Sequence, residues 1–120
     1  MAKPEILICD DEKNVRESLK LILEDDYKLE FAGDGLEALE KLKTFEARLV
    51  LLDIKMPKMH GLEILKQMKA LKPFLPIVIV TGYQSSEIAQ EALKGGAADY
   101  ITKPFDSQKI KKTVFEILRG

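Results

Sequence analysis

Short apolar runs recur along the chain and predict five β-strands. They cover residues 6–9, 28–32, 49–52, 77–80 and 98–102. Three of these runs are apolar without alternation, whereas the run at 28–32 alternates weakly. Continuous apolar runs are typical of strands whose two faces are both covered, as in a parallel sheet.

The stretches between the runs carry apolar residues at every third or fourth position and predict five helices. Their apolar faces are marked by Val15, Leu19, Ile22 and Leu23; by Leu36, Leu39, Leu42 and Phe45; by Leu62, Leu65, Met68 and Leu71; by Ile88, Ala92 and Leu93; and by Ile110, Val114, Ile117 and Leu118. Such stripes are typical of helices that pack one face on a core. Ser85 and Ser107 are the predicted N-caps of the last two helices.

Strand and helix alternate five times, which predicts an α/β fold with a doubly wound parallel sheet between two layers of helices. No linker, repeat or low-complexity segment divides the sequence, so we expect one domain over residues 1–120. In such sheets ligands bind beyond the carboxyl ends of the strands, where the strand order reverses. Functional residues are therefore expected directly after the apolar runs.

The charge balance narrows the functional classes. The 120 residues carry 19 basic and 20 acidic side chains, without the positive excess typical of proteins that bind nucleic-acid phosphates. No signal peptide is recognisable, and no apolar run approaches the ~20 residues that cross a bilayer. The single cysteine, Cys9, is expected to pack as a small apolar residue. We expect a cytoplasmic protein that binds neither nucleic acid directly nor membranes.

Polar side chains follow four of the predicted strands at one edge of the sheet. Asp10 and Asp11 follow the first strand, Asp53 the third, Thr81 the fourth and Lys103 the fifth. Neighbouring carboxylates repel one another unless a cation intervenes, and oxygen ligands favour Mg²⁺. An aspartate can act as a nucleophile, while a lysine and a hydroxyl can hold phosphoryl oxygens. Each residue alone has an ordinary structural explanation, but together they favour Mg²⁺-dependent phosphoryl chemistry.

Four segments carry a resemblance to a known family. They read Ile-Cys-Asp10-Asp11-Glu, Leu-Leu-Asp53-Ile-Lys-Met-Pro57 with Gly61, Val-Thr81-Gly82, and Tyr100-Ile-Thr-Lys103-Pro104-Phe. In this order they resemble the receiver domain of bacterial response regulators, and the resemblance covers essentially the whole chain. It implies a flavodoxin-like sheet with strand order 2-1-3-4-5 and five helices.

The resemblance also implies a phosphoacceptor and a metal site. Asp53 would accept a phosphoryl group from the phosphohistidine of a sensor kinase or phosphotransfer protein. Mg²⁺ would bridge Asp53 to Asp11, Asp10 would act mainly through metal-bound water, and the backbone carbonyl of Lys55 would be a further ligand. The domain would assist its own phosphorylation and dephosphorylation without being an enzyme for external substrates.

Further roles follow from the same resemblance. Thr81 and Lys103 would hold the phosphoryl oxygens, and Gly82 would leave room above Asp53. Tyr100 would be the aromatic residue that turns inward when Thr81 moves towards the phosphate, a two-state switch. The bond between Lys103 and Pro104 is expected to be cis.

Lys55 and Tyr83 occupy positions that vary within the family. Both side chains would flank the path of a water molecule that attacks the phosphoryl group, so we expect a long-lived phosphoaspartate. This pair, together with the Asp-Ile-Lys-Met-Pro segment and an ending at the fifth helix, is most similar to a single-domain regulator that relays phosphoryl groups in sporulation. His60, the single histidine, is interpreted as a turn or capping residue.

Several alternatives stay open at the level of the sequence. A dehalogenase-like phosphohydrolase would carry a second aspartate where Lys55 stands, and a flavin module would not present Asp10, Asp11 and Glu12 to a phosphate. An interaction module that is never phosphorylated would not need the complete set of site residues. The segment 81–105 also resembles receivers attached to transcription activators, so an excised domain of a larger regulator remains an alternative.

Partner surfaces are expected from the fold. The first helix and the loops around the site usually meet the kinase or relay protein. The expected contacts are therefore Asn14, Val15 and Ser18, together with Tyr83 and the loop after Pro104. The fourth helix, fifth strand and fifth helix usually carry the output, either to a partner protein or to a second copy in a homodimer.

Overall fold

The computed structural model describes residues 3–55 and 60–120, and in them strands and helices alternate. The strands are β1 (Glu5–Cys9), β2 (Lys28–Ala32), β3 (Leu49–Leu52), β4 (Ile77–Thr81) and β5 (Asp99–Thr102). The helices are α1 (Lys13–Leu23), α2 (Gly35–Leu42), α3 (Gly61–Leu71), α4 (Ser86–Lys94) and α5 (Ser107–Arg119). Each strand begins and ends within one residue of its predicted bounds. Within the described ranges, no helix is both long and apolar enough to cross a bilayer.

The strands form one parallel sheet in the order β2-β1-β3-β4-β5, which confirms the predicted topology. The strand order reverses between β1 and β3, where Cys9 pairs with Leu52 at the carboxyl ends. The pairing continues for one more step, because the Asp53 N–H donates to the Cys9 carbonyl oxygen at 2.9 Å. The residues that follow β1 and β3 are therefore neighbours.

Two apolar layers cover the two faces of the sheet. Successive strand residues alternate between the layers, so that Leu7 and Cys9 belong to one and Ile6 and Ile8 to the other. Helices α2, α3 and α4 complete the first layer, and α1 and α5 the second. Cys9 is fully buried, as predicted, and this burial raises the pKa of its thiol well above the ordinary range.

Three leucines predicted to face the core are exposed. Leu36, Leu71 and Leu93 have exposed fractions of 62%, 42% and 49%. Each lies in the first or last turn of its helix. The apolar stripe there continues past the part of the helix that packs on the sheet.

One of the two predicted N-caps is confirmed. Ser85 caps α4, because its Oγ accepts a hydrogen bond from the Ile88 N–H at 3.4 Å. Ser107 is not a cap, because it is already the first helical residue of α5. Asp106 takes that role and accepts from the Gln108 N–H at 2.8 Å. A charged carboxylate one residue earlier satisfies the helix N-terminus more strongly than a hydroxyl.

The start of α3 lies directly against the chain that follows β3. A Cβ atom built on Gly61 would lie 2.2 Å from the Cα atom of Ile54. No side chain fits at such a separation, so glycine allows the helix to approach the backbone beside Asp53. Gly61 thereby helps to fix the loop that carries the predicted phosphoacceptor.

Candidate functional site

Asp10 and Asp53 occupy equivalent positions after β1 and β3. Each residue is 2% exposed. Asp10 Oδ1 accepts a hydrogen bond from the Glu12 N–H at 2.9 Å, and Asp53 Oδ1 accepts one from the Lys55 N–H at 2.8 Å. These local turns fix both carboxylates and leave Oδ2 of each directed into the site.

Lys103 joins the two carboxylates. Its Nζ atom lies 2.8 Å from Asp10 Oδ2 and 2.9 Å from Asp53 Oδ2. The backbone N–H of Lys103 donates to the Thr81 carbonyl oxygen at 2.8 Å, and the bond to Pro104 is cis, as expected from the resemblance. The side chain is 14% exposed, so the site contains a largely buried network of charges.

The pKa values reflect this burial. Burial raises the pKa of Asp10, and the nearby Asp53 charge adds to the rise, while the hydrogen bonds from Lys103 and the Glu12 N–H oppose it. Burial alone would lower the pKa of Lys103, but its hydrogen bonds to Asp10 and Asp53 raise it above the ordinary value. Lys103 therefore carries its positive charge at neutral pH.

The acidic cluster fits a hard divalent cation. One carboxylate oxygen from each of Asp10, Asp11, Glu12 and Asp53 lies within 4.8 Å of the others, and Asp11 and Glu12 are exposed to solvent. An oxygen-only set of this kind suits Mg²⁺, which keeps several waters and binds few carboxylates. Glu12 is not one of the predicted metal ligands. Its position as the third consecutive acidic residue after β1 is the sequence feature that indicates it.

A rim of side chains adjoins the charged network. Thr81 is fully buried at the end of β4, and its Oγ1 accepts a long hydrogen bond of 3.5 Å from the Tyr83 N–H. Among the described residues, a Cβ atom on Gly82 would meet only Lys55 Cδ, at 4.0 Å, so these residues leave the position open. The Lys55 ammonium lies 5.3 Å from the centre of the Tyr83 ring, within the range of a cation–π contact.

Tyr100 connects β5 to this rim. Its hydroxyl donates to the Tyr83 carbonyl oxygen at 2.9 Å, and its ring is half-buried against the apolar layer of α2, α3 and α4. Burial raises the pKa of Tyr100, and the Asp53 charge adds to the rise. Tyr100 is thus joined to the rim by a hydrogen bond, and both burial and the Asp53 charge oppose its ionisation.

The structure brings most of the predicted site residues together. Asp10, Asp53 and Lys103 form the charged network, and Asp11 lies beside it in the acidic cluster. The rim is formed by Thr81, Gly82, Tyr83 and Lys55. The Met-Pro57 part of the segment Leu-Leu-Asp53-Ile-Lys-Met-Pro57 lies outside the described residues. His60 stands at the N-cap position of α3 without a side-chain capping hydrogen bond.

The fold is thus a doubly wound α/β domain with an acidic, lysine-bridged site where the strand order reverses. The model of the response regulator receiver domain family matches residues 6–115. The chain belongs to this family, whose members act in two-component signalling.

Two similar regulatory proteins are longer than this chain. The transcriptional regulatory protein ZraR of Klebsiella oxytoca is 42% identical over 115 residues, which are 95% of this chain and 26% of ZraR. The response regulator MprA of Mycobacterium ulcerans is 36% identical over 95% of this chain and 50% of its own length. The chain thus spans about a quarter of ZraR. Neither relative supports the finer resemblance to a single-domain sporulation regulator.

Solved structures agree with the fold. The CheY-like receiver domain protein from Methanospirillum hungatei JF-1 has a TM-score of 0.93 and 36% identity, covering 98% of this chain and 95% of that one. The receiver domain of NtrX from Brucella abortus has a TM-score of 0.88 and 33% identity, covering 95% and 98%.

Proposed function

We propose that Asp53 accepts a phosphoryl group from the phosphohistidine of a sensor kinase or phosphotransfer protein in a Mg²⁺-dependent reaction. The observation that carries this proposal is the position of Asp53. Its carboxylate is held by the Lys55 N–H and by Lys103, beside a cluster of acidic side chains. A nucleophile, a mobile cation and a set of oxygen ligands therefore share one site.

The transfer requires one bond to form and one to break. An Asp53 oxygen attacks phosphorus, the phosphorus–nitrogen bond of the donor breaks, and the imidazole nitrogen retains the electron pair. Asp10, Asp11 and Asp53 would hold Mg²⁺, which neutralises part of the phosphoryl charge when bound. Lys103 turns its ammonium from a carboxylate to a phosphoryl oxygen, and the Thr81 hydroxyl donates to another.

The product couples to the rim through Thr81. Movement of Thr81 towards the phosphoryl group changes the loop that carries Tyr83, and the Tyr83 carbonyl oxygen is the acceptor for the Tyr100 hydroxyl. The orientation of Tyr100 therefore depends on the state of Asp53, which gives the domain two conformations.

We further propose that the output is the control of transcription, by way of an attached domain, a partner or a homodimer. The 42% identity to ZraR, a transcriptional regulatory protein, supports this. On this proposal the domain is a cytoplasmic phosphoacceptor and does not act on external substrates. Lys55 supports that distinction, because a phosphohydrolase of the dehalogenase type would need an acid at this position.

The test of the proposed function is the intact mass of the protein after incubation with acetyl phosphate, with Mg²⁺ or with a chelator. One phosphoryl adduct that needs Mg²⁺ and maps to the peptide containing Asp53 is the expected result. If acetyl phosphate gives none, the same assay with a phosphorylated histidine protein follows. Failure with both donors would favour an interaction module that is not phosphorylated.

The contact between Lys55 and Tyr83 predicts a long-lived phosphoaspartate. Together the two side chains cover the approach of water to Asp53, so Lys55→Ala and Tyr83→Ala should each shorten the phosphoryl lifetime several-fold. Because the two side chains touch, the double variant should lose less than the product of the two single effects. The decay of the adduct in Mg²⁺ buffer measures this, with exposed Lys109→Ala as the control.

Two results would contradict this prediction. One is loss of the wild-type adduct within seconds to a minute at room temperature. The other is a set of lifetimes in which the two single effects multiply fully, since that would show that the side chains act separately.

A further inference from the structure

Glu12 lies at the solvent side of the charged network and reaches Lys103. Its Oε1 atom is 3.3 Å from Lys103 Nζ, and its side chain is 62% exposed. Its backbone N–H donates to Asp10 Oδ1 at 2.9 Å. Glu12 is therefore held by its main chain in the turn of one site residue, while its side chain contacts another.

Within residues 3–55 and 60–120, the Lys103 ammonium has as many carboxylate partners as it has N–H groups. It carries three N–H groups, and three carboxylates surround it, with Asp10, Asp53 and Glu12 at 2.8, 2.9 and 3.3 Å. To bind a phosphoryl oxygen, Lys103 must leave one of them. Asp10 and Asp53 are buried and would lose a charged partner, whereas Glu12 is exposed to water. The contact with Glu12 is the least costly to break.

Glu12 also adds to an excess of negative charge. Four carboxylates are clustered around one ammonium, and the Arg16 guanidinium is directed at the Asp10 backbone carbonyl, at 2.7 Å. An excess of this sign attracts a divalent cation and opposes the approach of a phosphorylated donor. The opposition grows with the charge of the donor.

We propose that the charge of the Glu12 carboxylate, beside Lys103, sets how strongly the rate of phosphoryl transfer depends on the charge of the donor. This inference rests on the proposed function. The same carboxylate strengthens Mg²⁺ binding while slowing transfer from small, highly charged donors, so a donor of lower charge is favoured.

The test compares wild type with Glu12→Gln at saturating Mg²⁺ and low ionic strength. Acetyl phosphate carries two negative charges and phosphoramidate a net charge of one. Screened Coulomb repulsion over several ångströms predicts that Glu12→Gln accelerates adduct formation about four-fold with acetyl phosphate and about two-fold with phosphoramidate. Calorimetric titration should show Mg²⁺ binding weakened about four-fold by the same reasoning. Both differences should vanish in ~1 M salt, where the screening length is about 3 Å.

Two matched variants separate charge from structure. Glu17→Gln removes the same charge from a side chain of similar exposure, 60%, one turn along α1, and should leave the ratio of the two donor rates unchanged. Glu12→Asp keeps the charge on a shorter side chain and should retain the wild-type ratio.

An equal change with both donors, or no change with either, would overturn the role of Glu12. Failure of the proposed function gives a different result, because wild type would then form no adduct with any donor. In that case the Mg²⁺ titration still decides whether Glu12 belongs to the electrostatics of the site. Unchanged Mg²⁺ affinity in Glu12→Gln would count against it.

Discussion

The Asp53→Asn variant is expected to form the phosphoryl adduct at a rate at least about 100-fold below that of wild type. An asparagine amide is not a useful nucleophile, because its nitrogen lone pair is delocalised and its oxygen is neutral. The substitution preserves shape, and the amide oxygen can still accept the hydrogen bond that the Lys55 N–H makes to Asp53. Intact mass after incubation with acetyl phosphate and Mg²⁺ measures the adduct.

Asp11→Asn is the matched control for Asp53→Asn. It makes the same chemical change in the same acidic cluster, but it removes a proposed metal ligand and leaves the phosphoacceptor in place. Asp11→Asn should still form the adduct at Asp53, at a lower rate and with a higher Mg²⁺ requirement. Adduct formation by Asp53→Asn at the wild-type rate would assign the acceptor role to another residue.

The fold was predictable because its main signals are local. The runs at 49–52 and 77–80 are apolar at every position, and both strands are buried on both faces. The wrong predictions lie at helix ends, because the sequence pattern does not show where a helix begins or how far it packs on the sheet. Leu71 continues the stripe of α3 but reaches past the packed region, and the choice between Asp106 and Ser107 as a cap depends on where α5 begins.

The membership of the site was predictable for a related reason. In a parallel sheet the residues after each strand lie at one edge, so Asp10, Asp53 and Lys103 could be grouped although Lys103 is 93 positions from Asp10. The contacts among them were not predictable, because they depend on side-chain conformation. Periodicity does not reveal that Lys103 bridges both carboxylates and Glu12, or that Lys55 stands over Tyr83.

Lys103→Met is expected to lower the free energy of unfolding by about 3–5 kcal/mol in Mg²⁺-free buffer, because it leaves two buried carboxylates without their cation. Methionine keeps most of the length and volume of the side chain, so the loss reports charge more than packing. Since folding raises the pKa of Lys103, its stabilising effect is fully present at neutral pH and is lost only as the pH rises through the alkaline range. Urea unfolding followed by circular dichroism measures the difference.

Two dependences distinguish this loss from a packing defect. Excess Mg²⁺ should restore part of the stability of Lys103→Met, because a cation that binds the folded acidic cluster stabilises it by linkage. Acidification towards the carboxyl range should also narrow the gap, since burial raises the pKa of Asp10 and its neutral form needs no cation. Lys109→Met, which removes an exposed charge from α5, should change stability little and show neither dependence. Equal losses in the two variants, or a loss indifferent to Mg²⁺ and pH, would show that the stability of the fold does not depend on the cation at this site.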